Sequence, residues 1–295
     1  MKPLAAWRED AQYFEAHGHR LAYWAFEEDA AKPWLLLIHG YPTSSWDWSA
    51  MWPTLSKKFN LAALDMLGFG LSDKPGNIAY SLVDQADLQE ALLERLGVGD
   101  AHLLVHDYGN SVAQELLARH NEGSLSFSIN SLCFLNGGLF PEQHRPRPIQ
   151  KFGLSPFGFL LGFLMTRASF KKSFSEIFGA QTQPDDEELD AHWSLIREQS
   201  GQKIQHKLLQ YIPERSTKRE RWVGALLEAR IPLRLIDGGA DPVSGKHLYD
   251  YYRETVPNAD AVLFEDIGHY PQTEAPERII EAFFNFHLKI GTAFP

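Results

Sequence analysis

The sequence predicts an α/β fold: a mostly parallel sheet flanked by helices and covered by a helical insertion. Three observations lead to this reading. Short runs are apolar on both faces, helical patterns alternate with them, and the alternation stops over one long stretch. Strands covered on both sides read as continuous apolar runs, as in a parallel sheet. Strands interleaved with helices are the pattern of parallel pairing.

The first stretch with strand character is RLAYWAFE, residues 20–27. WLLLIHG (34–40), NLAALDMLG (60–68), AHLLVHD (101–107) and SLCFLNGG (131–138) follow, and IPLRLIDGG (231–239) and AVLFEDIG (261–268) come late. Between them, LVDQADLQEALLERLG (82–97) places Leu and Ala at helical spacing and ends on a glycine stop. SVAQELLARH (111–120) and ERIIEAFFNFHLK (277–289) are further helices. From about residue 139 to 226 strand-like runs are few, and helical periodicity is punctuated by HRPRPI and the acidic turn QPDDEELD. The expected division is therefore a core of residues 1–138 and 227–295 with a helical cap of 139–226. Within the cap, FGFLLGFLM (157–165) is the longest apolar stretch. It is too short to span a bilayer, which takes about 20 residues, and it reads as a buried or lid helix, with contact to a membrane surface as the alternative. There is no internal repeat or low-complexity tract.

Composition narrows the classes of function. A chain of 295 residues, 44% hydrophobic and 13% aromatic, has ample material for a core and is too apolar for a disordered chain. A formal net charge of −10 gains little from phosphate backbones, which argues against nucleic acid as a partner. The single cysteine, Cys133, permits no internal disulfide and fits a reducing, cytoplasmic setting. MKPLAAWRED has no apolar segment of the kind a signal peptide carries. Histidines and acids show no ligand-like clustering, so neither a metal nor a cofactor is expected. The oligomeric state is left open.

In open α/β sheets, ligands bind outside the carboxyl ends of the strands. Reactive groups at the expected strand ends are His39, Gly40 and Tyr41, then Asp107, then Asp241 in DGGADPVSG, then His269 in EDIGHYPQ. Nucleophile, acid and base thus occur in the chain order expected of α/β-hydrolases. Asp107 would sit on a sharp strand-to-helix turn that needs small residues nearby. Gly109 lies two residues after it, while Val105 stands two before, where the familiar pattern has glycine. The N-terminus of the following helix would favour the ionised carboxylate. Each residue alone has an ordinary reading. Asp107 would serve as a helix N-cap, His269 as a core or surface histidine, and Asp241 as a turn residue with Asp237 and Asp266 competing for its role. Asp241 is preferred because it lies past the strand end, where a side chain reaches the histidine. HGYP (39–42) is either an ordinary turn or one half of an oxyanion hole, with N–H groups from Tyr41 and Tyr108.

HGYPTSSWDW (39–48), LDMLGFGLSDKP (64–75), VHDYG (105–109), GGADP (238–242) and GHYPQTEAP (268–276) together resemble an α/β-hydrolase of the epoxide hydrolase and haloalkane dehalogenase branch. The resemblance runs from about residue 10 to 290, and NGGLFPEQHRP (136–146), LLQYI (208–212) and RWVGAL (221–226) are similar to the mesoderm-specific transcript group within it.

That resemblance implies an aspartate nucleophile. A carboxylate is a poor attacker of esters and amides, but it displaces a leaving group from an sp3 carbon and forms an alkyl-enzyme ester. His269 would then activate water, with Asp241 orienting its ring, and the oxyanion would rest on the Tyr41 and Tyr108 N–H groups. Haloalkane dehalogenases usually hold the halide with a Trp after the nucleophile and an Asn after His-Gly or a cap Trp. This chain has Tyr108 and Tyr41 there, which leaves Trp193 or Trp222 as indole donors. Epoxide hydrolases usually protonate the opening oxygen with two cap tyrosines. Here Tyr211 is one, Val223 stands where the second is often found, and Tyr41 would substitute if its ring faces the pocket. Tyr211 otherwise reads as a half-buried helix tyrosine. His39 joins the expected substrate contacts. The preferred reading is hydrolysis of small apolar epoxides, with water as second substrate and haloalkane dehalogenation as the runner-up. A small-ligand-binding homologue without turnover is the alternative from another class.

Overall fold

The computed structural model describes residues 1–292 and Phe294. Its sheet has eight strands: β1 Gln12–Ala16, β2 His19–Phe26, β3 Trp34–Ile38, β4 Asn60–Leu64, β5 Asp100–Val105, β6 Ser128–Phe134, β7 Leu233–Gly238 and β8 Ala261–Phe264. They lie in the order β1-β2-β4-β3-β5-β6-β7-β8. From β4 to β8 every pairing is parallel, while β1–β2 and β2–β4 are antiparallel. β1 has no counterpart among the expected strands. It is an edge strand in which only Phe14 is buried, so no apolar run marks it.

The four inner strands are covered on both faces. On one side, Leu36, Ile38, Leu103, Val105 and Leu132 pack with Leu92 and Leu116 of the helices Leu82–Leu96 and Tyr108–Glu122. On the other, Leu35, Leu37, Leu104 and Cys133 pack with Phe283 and Phe286 of the helix Pro276–Lys289. Chain order reverses direction at β3, whose neighbours are β4 and β5. Such a switch point opens a crevice at the carboxyl ends of the strands, and His39 and Asp107 follow β3 and β5 there.

Between β6 and β7 the chain folds as short helices, including Pro148–Gly153, Leu161–Leu164, Arg167–Ser175, Asp186–Arg197, Tyr211–Thr217 and Arg219–Leu227. They lie over the strand ends. The apolar stretch 157–165, read as a buried or lid helix or else a membrane-surface contact, is not one continuous helix. It makes a 3-10 turn, Gly158–Leu160, and the single turn Leu161–Leu164. Its large side chains point outward: Phe157 is 63% exposed, Phe163 71% and Leu164 63%. The cause is steric. A Cβ on Gly158 would stand 1.9 Å from the Gly153 carbonyl, and one on Gly162 2.5 Å from the Lys203 Cα, so these two close approaches need glycine, and Leu161 between them packs inward. Among the described residues no helix is long and apolar enough to cross a membrane.

Candidate active site

β5 ends one residue before His106, and Asp107 then turns the chain sharply into the helix Tyr108–Glu122. Asp107 has φ 45° and ψ −101°, a conformation that is unfavourable for a residue with a Cβ. Its neighbours hold it there. The Asp107 N–H donates to the Asn136 carbonyl at 2.8 Å, and the Asp107 carbonyl accepts from Arg215 Nη2 at 2.9 Å. Gly109 lets the helix start cross the end of β3, because a Cβ there would be 2.5 Å from the Ile38 carbonyl oxygen. Asp107 occupies the N-cap position, yet its side chain makes no capping hydrogen bond. Its Oδ2 instead accepts the Tyr41 N–H at 3.1 Å. The carboxylate is thus turned away from the helix and toward the loops after β3 and β8. The Tyr108 N–H is the first of the helix and has no carbonyl within the helix to bond.

The loops after β7 and β8 bring in the other two groups. His269 Nδ1 donates to Asp241 Oδ2 at 2.7 Å, and His269 Nε2 lies 4.0 Å from Asp107 Oδ1. Asp241 also accepts from Val243 N–H (2.7 Å), Ser244 N–H (3.1 Å), Ser244 Oγ (2.7 Å) and Asn136 Nδ2 (3.1 Å). The competing acids stand elsewhere. Asp266 pairs with Arg278 at the surface. Asp237 is buried with neither carboxyl oxygen hydrogen-bonded among the described residues, and burial pushes its pKa well up.

Burial opposes ionisation of Asp107 and Asp241, but the charges around them outweigh it. For Asp107 these are His269, Arg215 and His106, helped by the Tyr41 N–H, and the net shift is downward. Asp241 is lowered to about 2, chiefly by His269. Burial would lower the pKa of His269, yet Asp241 and then Asp107 raise it to about 9. The arrangement therefore favours an ionised Asp107 beside a protonated His269.

Asp107 and His269 open into one cavity beneath the cap. Tyr41 and Tyr211 line it with mostly apolar neighbours, among them Met165, Phe170, Phe174, Leu209 and Val243. The Tyr41 and Tyr211 rings are 5.9 Å apart. Tyr211 is 2% exposed rather than half-buried, and its phenol oxygen accepts from Gln150 Nε2 at 3.2 Å. Its own O–H proton is left free to point into the cavity.

Three expected substrate contacts are not there. His39 is held by backbone on both ring nitrogens: Nδ1 donates to the Gly40 carbonyl at 2.9 Å and Nε2 accepts the Met66 N–H at 3.1 Å. It shapes the turn after β3 and has no nitrogen left for a ligand. Trp193 stacks on the cavity-lining Phe170 at 5.6 Å and does not line the cavity itself. Trp222 is buried against the helix Tyr108–Glu122, where its indole N–H donates to Glu115 Oε2 at 2.7 Å.

Four residues at the site were not foreseen: Gln150, Asn136, His106 and Arg215. Buried His106 lies next to Asp107 and donates from Nε2 to the His269 carbonyl at 2.7 Å, which pins the histidine loop. Arg215 comes from the cap. Its guanidinium lies 3.8 Å from Asp107 Oδ1, donates to Ser111 Oγ at 2.6 Å and sits 4.4 Å above the Tyr211 ring. A helical spacing of four from Tyr211 is the one signal that would have found it.

Residues 33–276 match the family model described as alpha/beta hydrolase fold, and the chain belongs to that family. Within the family it is similar to the mesoderm-specific transcript protein of Mus musculus, with 40% identity over 294 residues, 96% of this chain and 87% of that protein. Two solved structures share the fold. One is the haloalkane dehalogenase DbeA from Bradyrhizobium elkani USDA94, with TM-score 0.79 and 22% identity, covering 95% of this chain and 98% of that one. The other is the epoxide hydrolase CorEH, with TM-score 0.78 and 18% identity, covering 95% and 99%.

Proposed function

We propose that the chain is a cofactor-independent epoxide hydrolase acting on small apolar epoxides, with Asp107 as nucleophile, His269 as base and Asp241 as its orienting acid. The observation behind the epoxide reading is that two phenols, Tyr41 and Tyr211, share one cavity with Asp107 and His269. Of the two cap indoles offered for a halide, Trp222 gives its N–H to Glu115 and Trp193 is not among the residues that line the cavity.

In the first step an Asp107 oxygen attacks an epoxide carbon from the side opposite the ring oxygen. The C–O bond breaks, and the departing oxygen takes a proton from Tyr211 or Tyr41. Such donation contributes about 10²–10⁴-fold. The product is a hydroxyalkyl ester on Asp107. In the second step His269 takes a proton from a water, and the hydroxide adds to the ester carbonyl carbon of Asp107. The oxyanion rests on the Tyr41 and Tyr108 N–H groups. Collapse releases the diol and leaves one water-derived oxygen on Asp107, and the proton held by His269 returns to the tyrosine phenolate, which restores both groups. The apolar lining suits hydrophobic substituents on the ring.

The test is the intact mass of His269→Phe after incubation with epoxides and haloalkanes. The expected result is an adduct on Asp107 heavier by a whole epoxide, which accumulates because the ester is not hydrolysed. A gain of an alkyl group alone, with halide released, would replace the epoxide reading by dehalogenation. A folded variant that forms no adduct, with ligand stabilisation unchanged in Asp107→Ala, would make the chain a binding protein.

A further inference from the structure

The outward face of the cap turn 157–164 has no counterpart in the chemistry above. Phe157, Phe159, Leu160, Phe163 and Leu164 are exposed within eight consecutive positions, with fractional exposures from 37% to 71%. They account for five of the nine exposed large hydrophobic side chains among the described residues. Contiguous exposed apolar surface marks an interaction site, whereas scattered single residues do not.

Charge identifies the partner. The chain carries a net −10, yet residues 143–175 hold six cations (Arg145, Arg147, Lys151, Arg167, Lys171 and Lys172) and no carboxylate. Arg147, Arg167 and Lys171 pair with Glu176, Asp190 and Asp186. Arg145, Lys151 and Lys172 are exposed, and among the described residues they have no ion-pair partner. Exposed Lys203 adjoins the turn, its Cα against Gly162. An exposed apolar turn inside a segment with six cations and no carboxylate, on an acidic protein, is complementary to an anionic lipid surface, where aromatic and leucine side chains enter the headgroup boundary and lysines meet the phosphates. A second copy of the chain would bring the same cations face to face.

The same turn is joined to residues of the cavity wall. Leu161 is buried, and both it and the cavity-lining Leu209 lie beside Gly153, while Met165, directly after the turn, lines the cavity itself. We propose that the 157–164 turn docks the protein on anionic membranes, so that apolar ligands enter the cavity from the bilayer. This docking does not depend on the chemistry at Asp107.

The test is flotation of the full chain with vesicles of phosphatidylcholine and phosphatidylglycerol in roughly equal parts, beside vesicles of phosphatidylcholine alone. The wild type is expected to float with the anionic vesicles, less so as salt rises. F159S/F163S, altered only at exposed positions, is expected to bind about tenfold more weakly or less, with an unchanged melting temperature. K151E/K172E is expected to lose the preference for anionic lipid. Failure of the wild type to float, or equal flotation of F159S/F163S, overturns the proposal. So does self-association in sedimentation that F159S/F163S abolishes without any flotation, which would make a second copy the occupant.

Discussion

At the scale of single residues, the proposed mechanism would make two opposed demands on His269 beside Asp107. In the free protein, the two carboxylates Asp241 and Asp107 hold His269 up at about 9, and the imidazolium in turn helps hold Asp107 ionised. That state suits attack by the carboxylate but not base catalysis, which needs a neutral imidazole. Under the proposal, forming the ester would remove the Asp107 charge, and with it one of the interactions that raise the pKa of His269. The imidazolium would then lose its proton more readily at the step where the neutral ring is needed. The two half-reactions should respond to pH differently. Attack needs only an ionised Asp107, whose pKa lies below the ordinary carboxylate value, so it should persist in mild acid. Ester hydrolysis needs neutral His269 and should be lost as pH falls through the pKa of His269 in the intermediate, which lies below 9. Single-turnover measurements across pH should then show the adduct building up on the acid side. Parallel loss of both steps would contradict this account. Arg215 belongs to the same electrostatics: a buried cation 3.8 Å from Asp107 Oδ1 offsets the cost of keeping that carboxylate charged away from water.

At the scale of elements, the site depends on the crossing of β3 by the helix that starts at Tyr108. Gly109→Ala places a methyl 2.5 Å from the Ile38 carbonyl, so the helix start must move and take Asp107 with it. Turnover is expected to fall at least about 10²-fold, since a misplacement near 1 Å has that effect. Stability should fall by about 1–3 kcal/mol, read from urea unfolding. This elbow was legible because it is local: an apolar run, an acid and a glycine lie within the seven residues LLVHDYG, 103–109. The seven strands with apolar runs were legible for the same reason, and β1, with Phe14 alone buried, was not. Tertiary choices left weaker traces. Whether Trp193 and Trp222 face the cavity depends on how each cap helix is rotated against its support, and Glu115, which takes the Trp222 indole, is 107 residues away in the chain. The outward face of the turn at 157–164 was not legible, because a hydrophobic count does not show that the close approaches are made by Gly158 and Gly162.

At the scale of the molecule, cap and core are joined by buried polar contacts as well as by apolar packing. Gln114 Nε2 donates to the Trp222 carbonyl at 3.3 Å, Arg215 to Ser111, and the Leu82 N–H to Glu214 at 2.9 Å. Glu115 accepts from Trp222 and forms ion pairs with Arg119 and Arg221. Cap and core are therefore expected to unfold together, since losing the cap would expose Glu115, Ser111 and the apolar wall of the helix Tyr108–Glu122. Trp222→Phe tests this and the halide question at once. The ring volume is largely kept while the N–H to Glu115 is lost, which should cost about 1–2 kcal/mol because the acceptor remains buried. In thermal melts the far-ultraviolet and aromatic signals should shift down by the same amount, and turnover at saturating substrate should be unchanged. A variant of wild-type stability that no longer binds halide would instead put the indole in the cavity. Two separate melting transitions, with only the cap signal shifted, would make the cap an independent domain and the Trp222–Glu115 contact incidental to the core.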